Sequence, residues 1–359
     1  MITEGAAEIK SSSNNLSFWN GKRVLVTGHT GFKGAWLCKI LELSGAYVIG
    51  YALESPTYPN LFSLCKPEVH SIYGDIRDFD KLHAIFEMTR PEIVIHMAAQ
   101  SLVLDSYKIP HHTYDVNIMG VVNVLECIRK SSSVKSLLSV TTDKVYLNKE
   151  RSGGYSEDEE LNGHDPYSNS KSCSELVTSS YNVSFLKQVG ILVSTIRSGN
   201  VIGGGDFSAN RLVPDCARAL AKGELIKIRN PHAVRPFLHV LDTLFAYLKA
   251  VQKQYENPAF SGSYNIGPDE DKCATCREIA DYFCEAWGNG AGWEHTPLNN
   301  PHESGILKLD CSKAKQMLGW KIKWDIEKTV SETAKWYQAY FQNEDANLVM
   351  TEQIKEFLQ

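Results

Sequence analysis

Tyr167 and Lys171 stand four residues apart in a stretch with helical patterning, which puts both side chains on one helix face. A phenol beside an ammonium can act as acid or base near neutral pH, because the cation favours the phenolate, and the same lysine can hold a cofactor ribose. Taken alone, Tyr-x3-Lys is also what a solvated helix face looks like. Two further groups bear on the choice. Gly28, Gly31 and Gly34 recur at a spacing of three directly after an apolar run, with Thr30, Phe32 and Lys33 between them. Such a turn lets backbone approach a pyrophosphate at a helix N-terminus. Thr142, Asp143 and Lys144 close another apolar run, where open parallel sheets present their ligands, although an acid next to a lysine is equally a surface ion pair. Together these groups point to dinucleotide-dependent chemistry.

The elements that must position them read as an α/β fold of the Rossmann type, a doubly wound parallel sheet with a smaller C-terminal substrate-binding lobe. Near-continuous apolar runs at 23–27, 47–51, 93–96, 136–141 and 192–197 predict parallel strands buried on both faces, joined by helices at 34–44, 80–88, 113–129 and 167–188. After 199 the rhythm changes: Gly, Pro and Arg cluster at 203–206, 229–232 and 235–236, interleaved with helices at 214–221 and 241–252. The expected organisation is a polar extension at 1–17, a dinucleotide-binding domain at 18–199 to which 236–252 returns, a lobe over 200–340 and a helical tail at 341–359. After the second strand, Glu54 is the one acid that could reach a ribose, and no basic residue follows immediately, which favours NAD over NADP. Asp75 and Ile76 suit an adenine, or Asp75 is simply the acid that opens the next helix.

Composition narrows the partners. With 43% hydrophobic and 22% charged residues in 359, the profile is that of a globular protein, and a net charge of -5 leaves no footprint for nucleic acid or an anionic membrane. Residues 1–17 lack the apolar stretch of a secretory signal and no run approaches the roughly 20 residues of a membrane span, so a cytoplasmic location is expected. Nine scattered cysteines fit reduced thiols better than a disulfide framework. Cys273-x2-Cys276 has metal-like spacing but no matching second pair, and no metal is expected.

The motifs GHTGFKG (28–34), GDIRD (74–78), MAAQ (97–100), TTDKVY (141–146), GHDPYSNSK (163–171), GNVIGGGDF (199–207), RNPHAVRP (229–236) and KLDCSKA (308–314) resemble the extended short-chain dehydrogenase/reductase family, specifically its CDP-glucose 4,6-dehydratase branch, over 18–340. The resemblance implies an NAD cofactor, bound by the glycine turn with Asp75, Ile76, Ala98, Ala99, Gln100, Tyr167 and Lys171. It implies that Tyr167 deprotonates the sugar O4 while NAD takes the C4 hydride, with Thr142 bonded to O4. A base then removes the C5 proton, Asp143 protonates the departing C6 hydroxyl, and the hydride returns to C6. Lys144 stands where related dehydratases carry a glutamate base, as in the CDP branch. Asn200, Arg211 and Arg235 are implied around the diphosphate and nucleotide, His302 also matches, and helices 113–129 and 167–188 are implied as a homodimer surface. The sequence departs from the branch at Leu104 (usually Arg), Ser101 (usually Pro), Phe237 (usually Trp) and Arg151-Ser152, which replace a tryptophan-rich segment. An epimerase or reductase of the same family would use Tyr167, Lys171 and NAD without losing water, and the retained Asp143-Lys144 pair argues against it. A non-catalytic NAD or nucleotide-sugar sensor would have no need of Thr142, Tyr167 and Lys171.

Overall fold

A computed structural model describes residues 16–297 and 305–359. Seven parallel strands form its main sheet: β1 Arg23–Thr27, β2 Tyr47–Ala52, β3 His70–Tyr73, β4 Ile93–His96, β5 Ser136–Val140, β6 Leu192–Ser198 and β7 Ser263–Ile266, in the order β7-β6-β5-β4-β1-β2-β3. The order reverses beside β1, so the crevice at the C-terminal ends of β1 and β4 is where such a sheet binds ligands. Alternation along β1 feeds two apolar layers. Val24 and Val26 pack with α1 (Phe32–Leu43), whereas Leu25 faces α2 (Phe79–Thr89) and α3 (Gly120–Lys130) on the other side. Helix α4 (Pro166–Tyr181) follows β5.

Beyond β6 the chain builds α5 (Leu212–Ala221) and α6 (Val240–Glu256), whose Leu241 and Leu244 join the α1 side of the sheet core, and three short strand pairs, two of which join segments before and after α6. The sequence reading returns the chain to the sheet only at 236–252; the structure adds β7 as its edge strand. Helix α7 (Ile326–Phe341) is followed by α8 (Ala346–Leu358), the tail helix, which docks through buried Met350, Ile354 and Phe357.

Two helices depart from the expected regularity. The segment expected as one helix over 113–129 runs as Pro110–Tyr114, a π-helical turn at Asp115–Met119 and then α3. The helix expected over 167–188 stops at Tyr181 and continues as a π turn at Asn182–Leu186 and a 3-10 turn at Lys187–Val189, closed by Gly190 at φ 77°.

Gly34 marks the tightest backbone approach in the first turn of α1. A Cβ there would lie 2.3 Å from the Gly28 carbonyl oxygen and 2.7 Å from His29 Cα, both backbone atoms that cannot rotate away. Gly34→Ala is therefore expected to destabilise the fold by about 2 kcal/mol, since overpacking of ~1–3 kcal/mol outweighs the ~1 kcal/mol of helix propensity that alanine returns. A lower urea midpoint at unchanged m-value checks this.

Candidate active site

Gly28 ends β1 at φ +76°, with its N–H bonded to Tyr51 O at 2.9 Å, and the chain enters α1 at Gly31, which offers no side-chain cap. The first amides of a 12-residue helix thus line the crevice with no side-chain cap among the described residues, as an anionic pyrophosphate requires. A Cβ at Gly28 would lie 2.8 Å from Ala98 N, so only glycine lets β1 and the 97–100 segment close this cradle. Thr30 Oγ1 donates to Leu53 O at 2.8 Å and ties the turn to the end of β2. These features fit a dinucleotide.

The cradle opens into a cleft of about 790 Å³, which Gly28, Thr30, Gly31, Phe32, Lys33 and Gly34 line at one end. Glu54, Asp75 and Ile76 line it beyond β2 and β3, and Ala98, Ala99 and Gln100 beyond β4. Asp78, not Asp75, caps α2, accepting from Lys81 N at 3.0 Å. Asp75 instead chelates Arg77, whose side-chain bonds hold the carboxyl below its ordinary range, and Arg77 also reaches Asp115 at 2.9 Å. Lys33 points into the cleft and donates to Tyr247 OH at 3.2 Å; burial and then the Arg211 cation lower it to about 8.

At the far end, Thr142, Lys144 and Tyr167 share the cleft wall, whereas Asp143 and Lys171 lie buried directly behind it. Thr142 Oγ1 donates to Asp143 Oδ1 at 2.9 Å and Lys144 Nζ donates to the same oxygen at 3.0 Å, leaving buried Asp143 Oδ2 without a partner among the described residues. Lys144 also reaches Asn200 Oδ1 at 3.4 Å. The side-chain ammonium thus spends two donors on acceptors it already has.

The expected pull of Lys171 on Tyr167 toward a neutral pKa does not materialise. Burial pushes the phenol up to about 12, the Asp143 charge adds to it, and the Thr142 hydrogen bond and Arg211 only partly oppose. Lys171 itself is lowered to about 7, first by burial and then by Lys33, with Glu175 acting in the other direction. Its amine donates to Val140 O at 3.0 Å, one bond out of the three an ammonium can make. A partly discharged lysine is a weak lever on a buried phenol.

Across the cleft, Arg211 donates to Asp206 Oδ2 at 2.8 Å and to Ser101 Oγ at 3.3 Å. The loop that carries Asp206 is gripped from two helices, by Trp36 of α1 donating to Gly204 O at 3.0 Å and by Tyr337 of α7 donating to Asp206 O at 2.5 Å. Arg235 is buried, lines the cleft and donates to Val234 O at 2.9 Å. His302 lies outside the described residues. Ser101, Leu104 and Phe237 all line the cleft, so three of the four departures fall at the site. Arg151 does not; it pairs with Glu159 and lies over the Tyr155 ring at 4.4 Å.

Sequence reasoning missed Asn117. Buried in the π turn before α3, it accepts from Gln100 N at 2.9 Å and donates to Gln100 O at 3.0 Å and Ser170 Oγ at 2.9 Å, lacing the 97–100 segment to the helix of Tyr167. An asparagine inside a helical pattern gives no sign of this; a π turn is where it arises. The Cys273-x2-Cys276 pair gathers no metal-like company: no cluster of three or more His, Cys, Asp or Glu suited to a metal occurs among the described residues.

Residues 25–333 match the family model described as GDP-mannose 4,6 dehydratase. Over 350 residues the chain is 43% identical to the CDP-glucose 4,6-dehydratase of Salmonella typhimurium, covering 95% of this chain and 98% of that one. The dTDP-glucose 4,6-dehydratase of Xanthomonas campestris is 25% identical over 340 residues, 87% of this chain and 92% of that one. Among solved structures, the Bacillus anthracis dTDP-glucose 4,6-dehydratase in complex with NAD shares the fold with a TM-score of 0.74 at 23% identity, over 90% of this chain and 99% of that one. The Thermus thermophilus UDP-glucose 4-epimerase complex with NAD gives 0.76 at 25%, over 88% and 99%.

Proposed function

The chain belongs to the GDP-mannose 4,6 dehydratase family, and from that membership we propose that it is an NAD-dependent CDP-glucose 4,6-dehydratase producing CDP-4-keto-6-deoxyglucose. One observation carries the reading: a chain 43% identical to a CDP-glucose 4,6-dehydratase over nearly its whole length sets Thr142 and Lys144 beside Tyr167 on the wall of a dinucleotide-sized cleft, with Asp143 bonded to both from behind. Residues 18–199, with α6 and β7, are assigned to NAD, and the rest of 200–340 to the nucleotide sugar. The glycine turn and the first amides of α1 would hold the pyrophosphate, Asp75 and Ile76 the adenine end, and the Lys171 N–H groups not given to Val140 O the ribose. Bound NAD supplies the oxidant at C4 and the reductant at C6.

The chain's own residues move the protons. Tyr167 takes the O4 proton as C4 is oxidised, with the Thr142 hydroxyl facing the same oxygen; because burial raises the phenol to about 12, it must first release its own proton to solvent, and the phenolate is the form that accepts from O4. The resulting 4-ketone acidifies C5–H. Lys144, bonded to Asp143 at 3.0 Å, passes it one proton, and the freed amine takes the proton from C5. Asp143, carrying that proton, then protonates the departing C6 hydroxyl, which leaves as water, and the Lys144 ammonium returns its proton to C5 as C6 is reduced. Asn200, Arg211 and Arg235 face the diphosphate and nucleotide, where guanidinium forks suit phosphate oxygens. A same-family epimerase or reductase would need no acid at C6, and the Asp143-Lys144 pair favours the dehydratase.

Incubation with CDP-glucose, without and then with added NAD, tests this. Loss of one water from the sugar nucleotide, read by mass, is the expected result, and an unchanged substrate under both conditions would count against it. We place the enzyme in the cytoplasm; no helix among the described residues is long and apolar enough to cross a membrane. Leu176, Val183 and Phe185 leave 56%, 67% and 45% of their surface exposed on and just after α4. A homodimer that covers this face is expected, with a sedimentation mass of two chains; a mass of one chain would refute it.

A further inference from the structure

Behind the cleft wall, Glu175 of α4 is 3% exposed and fully engaged. Thr141 Oγ1 donates to its Oε1 at 2.5 Å, while Thr195 Oγ1 at 2.8 Å and Arg197 Nη2 at 2.9 Å donate to Oε2. Arg197, equally buried, uses Nη1 on Tyr146 OH at 2.9 Å and on Glu157 O at 2.8 Å. Neither residue lines the cleft, and the proton transfers above use neither. Stability is a poor account of such a pair, because two apolar side chains of similar volume are commonly at least as stable as a buried ion pair.

Its position suggests another account. Thr141 directly precedes Thr142, Asp143 and Lys144, and Glu175 lies one turn beyond Lys171 and two beyond Tyr167. Three bonds pin α4 to this end of β5: Lys171 Nζ to Val140 O at 3.0 Å, Ser172 Oγ to Val145 O at 2.7 Å, and Thr141 to Glu175. The third of these brings a charge. We propose that the buried Glu175–Arg197 pair is a positioning device for the active site, fixing α4, and with it Tyr167 and Lys171, against the Thr142–Asp143–Lys144 turn. The inference rests on the roles given above to Tyr167 and Lys171.

The charged and titratable groups around Lys171 give the sign. Lys33 of α1 lowers its affinity for a proton and Glu175 raises it. Buried His96 of β4, pushed down to about 3, is neutral; Tyr167 lies on the same helix and Asp143 on the neighbouring turn. Arg197 meets Glu175 from β6. Removing the carboxylate therefore leaves burial and Lys33 less opposed, and the ammonium is lost at lower pH.

Three variants separate position from charge. Thr141→Val cuts the bond and keeps the carboxylate; Glu175→Gln removes the charge; Glu175→Leu with Arg197→Met removes both charges, so that no buried ion is orphaned. In the double variant Thr141 and Thr195 keep Ile196 O at 3.2 Å and Ser263 Oγ at 2.9 Å. NAD affinity is measured by calorimetry across the neutral pH range, alongside kcat. The fall in affinity that follows loss of the Lys171 proton is expected to move down by about one pH unit in Glu175→Gln, where Arg197 stays as an unopposed cation, to move down by less in the double variant, and to stay in place in Thr141→Val. Turnover should drop at least about tenfold in all three. A folded charge-removing variant with the wild-type pH dependence of NAD binding overturns the inference. Because binding is read apart from turnover, a wild-type protein that leaves CDP-glucose untouched would sink the dehydratase reading and leave this test in force.

Discussion

Tyr167→Phe is expected to lower kcat on CDP-glucose by about three orders of magnitude while NAD affinity and Tm stay near wild type. The ring is buried, so phenylalanine keeps its packing, and the loss is confined to one hydroxyl in contact with Thr142. General acid–base groups contribute roughly 10²–10⁴-fold, and this hydroxyl is the one placed to take the O4 proton. The pH dependence sharpens the test. With the phenol raised to about 12 by burial, proton loss from Tyr167 becomes easier as pH rises, so wild-type turnover should climb on the acid side. Residual Tyr167→Phe turnover should lack that climb, since no group with the same proton remains. Steady-state rates on both proteins over a pH series decide it; a variant within tenfold of wild type would assign the O4 proton to another group.

How much of this was legible beforehand depended on whether a residue's signal is local. The five strands read from apolar runs are those whose residues are buried on both faces, as in β4 and β5, where every position is buried. β3, at the sheet edge, has an exposed, polar-tinged HSIY sequence, and β7 is a four-residue SYNI segment far down the chain, so neither has a run to betray it. The glycine turn and the Thr142–Lys144 turn were legible because strand ends confine ligands to a known place in this topology. Lys171 and Glu175 illustrate the opposite case. A Lys and a Glu four apart on a helix are ordinarily an exposed pair, yet both of these are buried, and Glu175 is bonded to Arg197 across to β6. Nothing local in the sequence says that a helix face is covered. The same holds for Tyr167, whose titration depends on how deeply the folded chain encloses it.

Asp143→Asn is expected to stop the reaction at a different point, and the place where it stops tests the handover of a proton from Lys144. Asparagine keeps an oxygen for Thr142 and Lys144, so the turn at Asp143–Val145 should survive, but it cannot accept and release a proton in the working pH range. Overall turnover should fall by about 10³-fold. Oxidation at C4 involves Tyr167 and not Asp143, so reduced cofactor should still form when CDP-glucose is added. Lys144, with no carboxylate to take its proton, stays an ammonium and has no lone pair for C5–H. In deuterated water, sugar recovered from Asp143→Asn should therefore carry no deuterium at C5, whereas Tyr167→Phe should not reach the ketone at all. Deuterium at C5 without loss of water would show that the C5 base works independently of Asp143, and the acid and base roles would then belong to groups that do not share a proton.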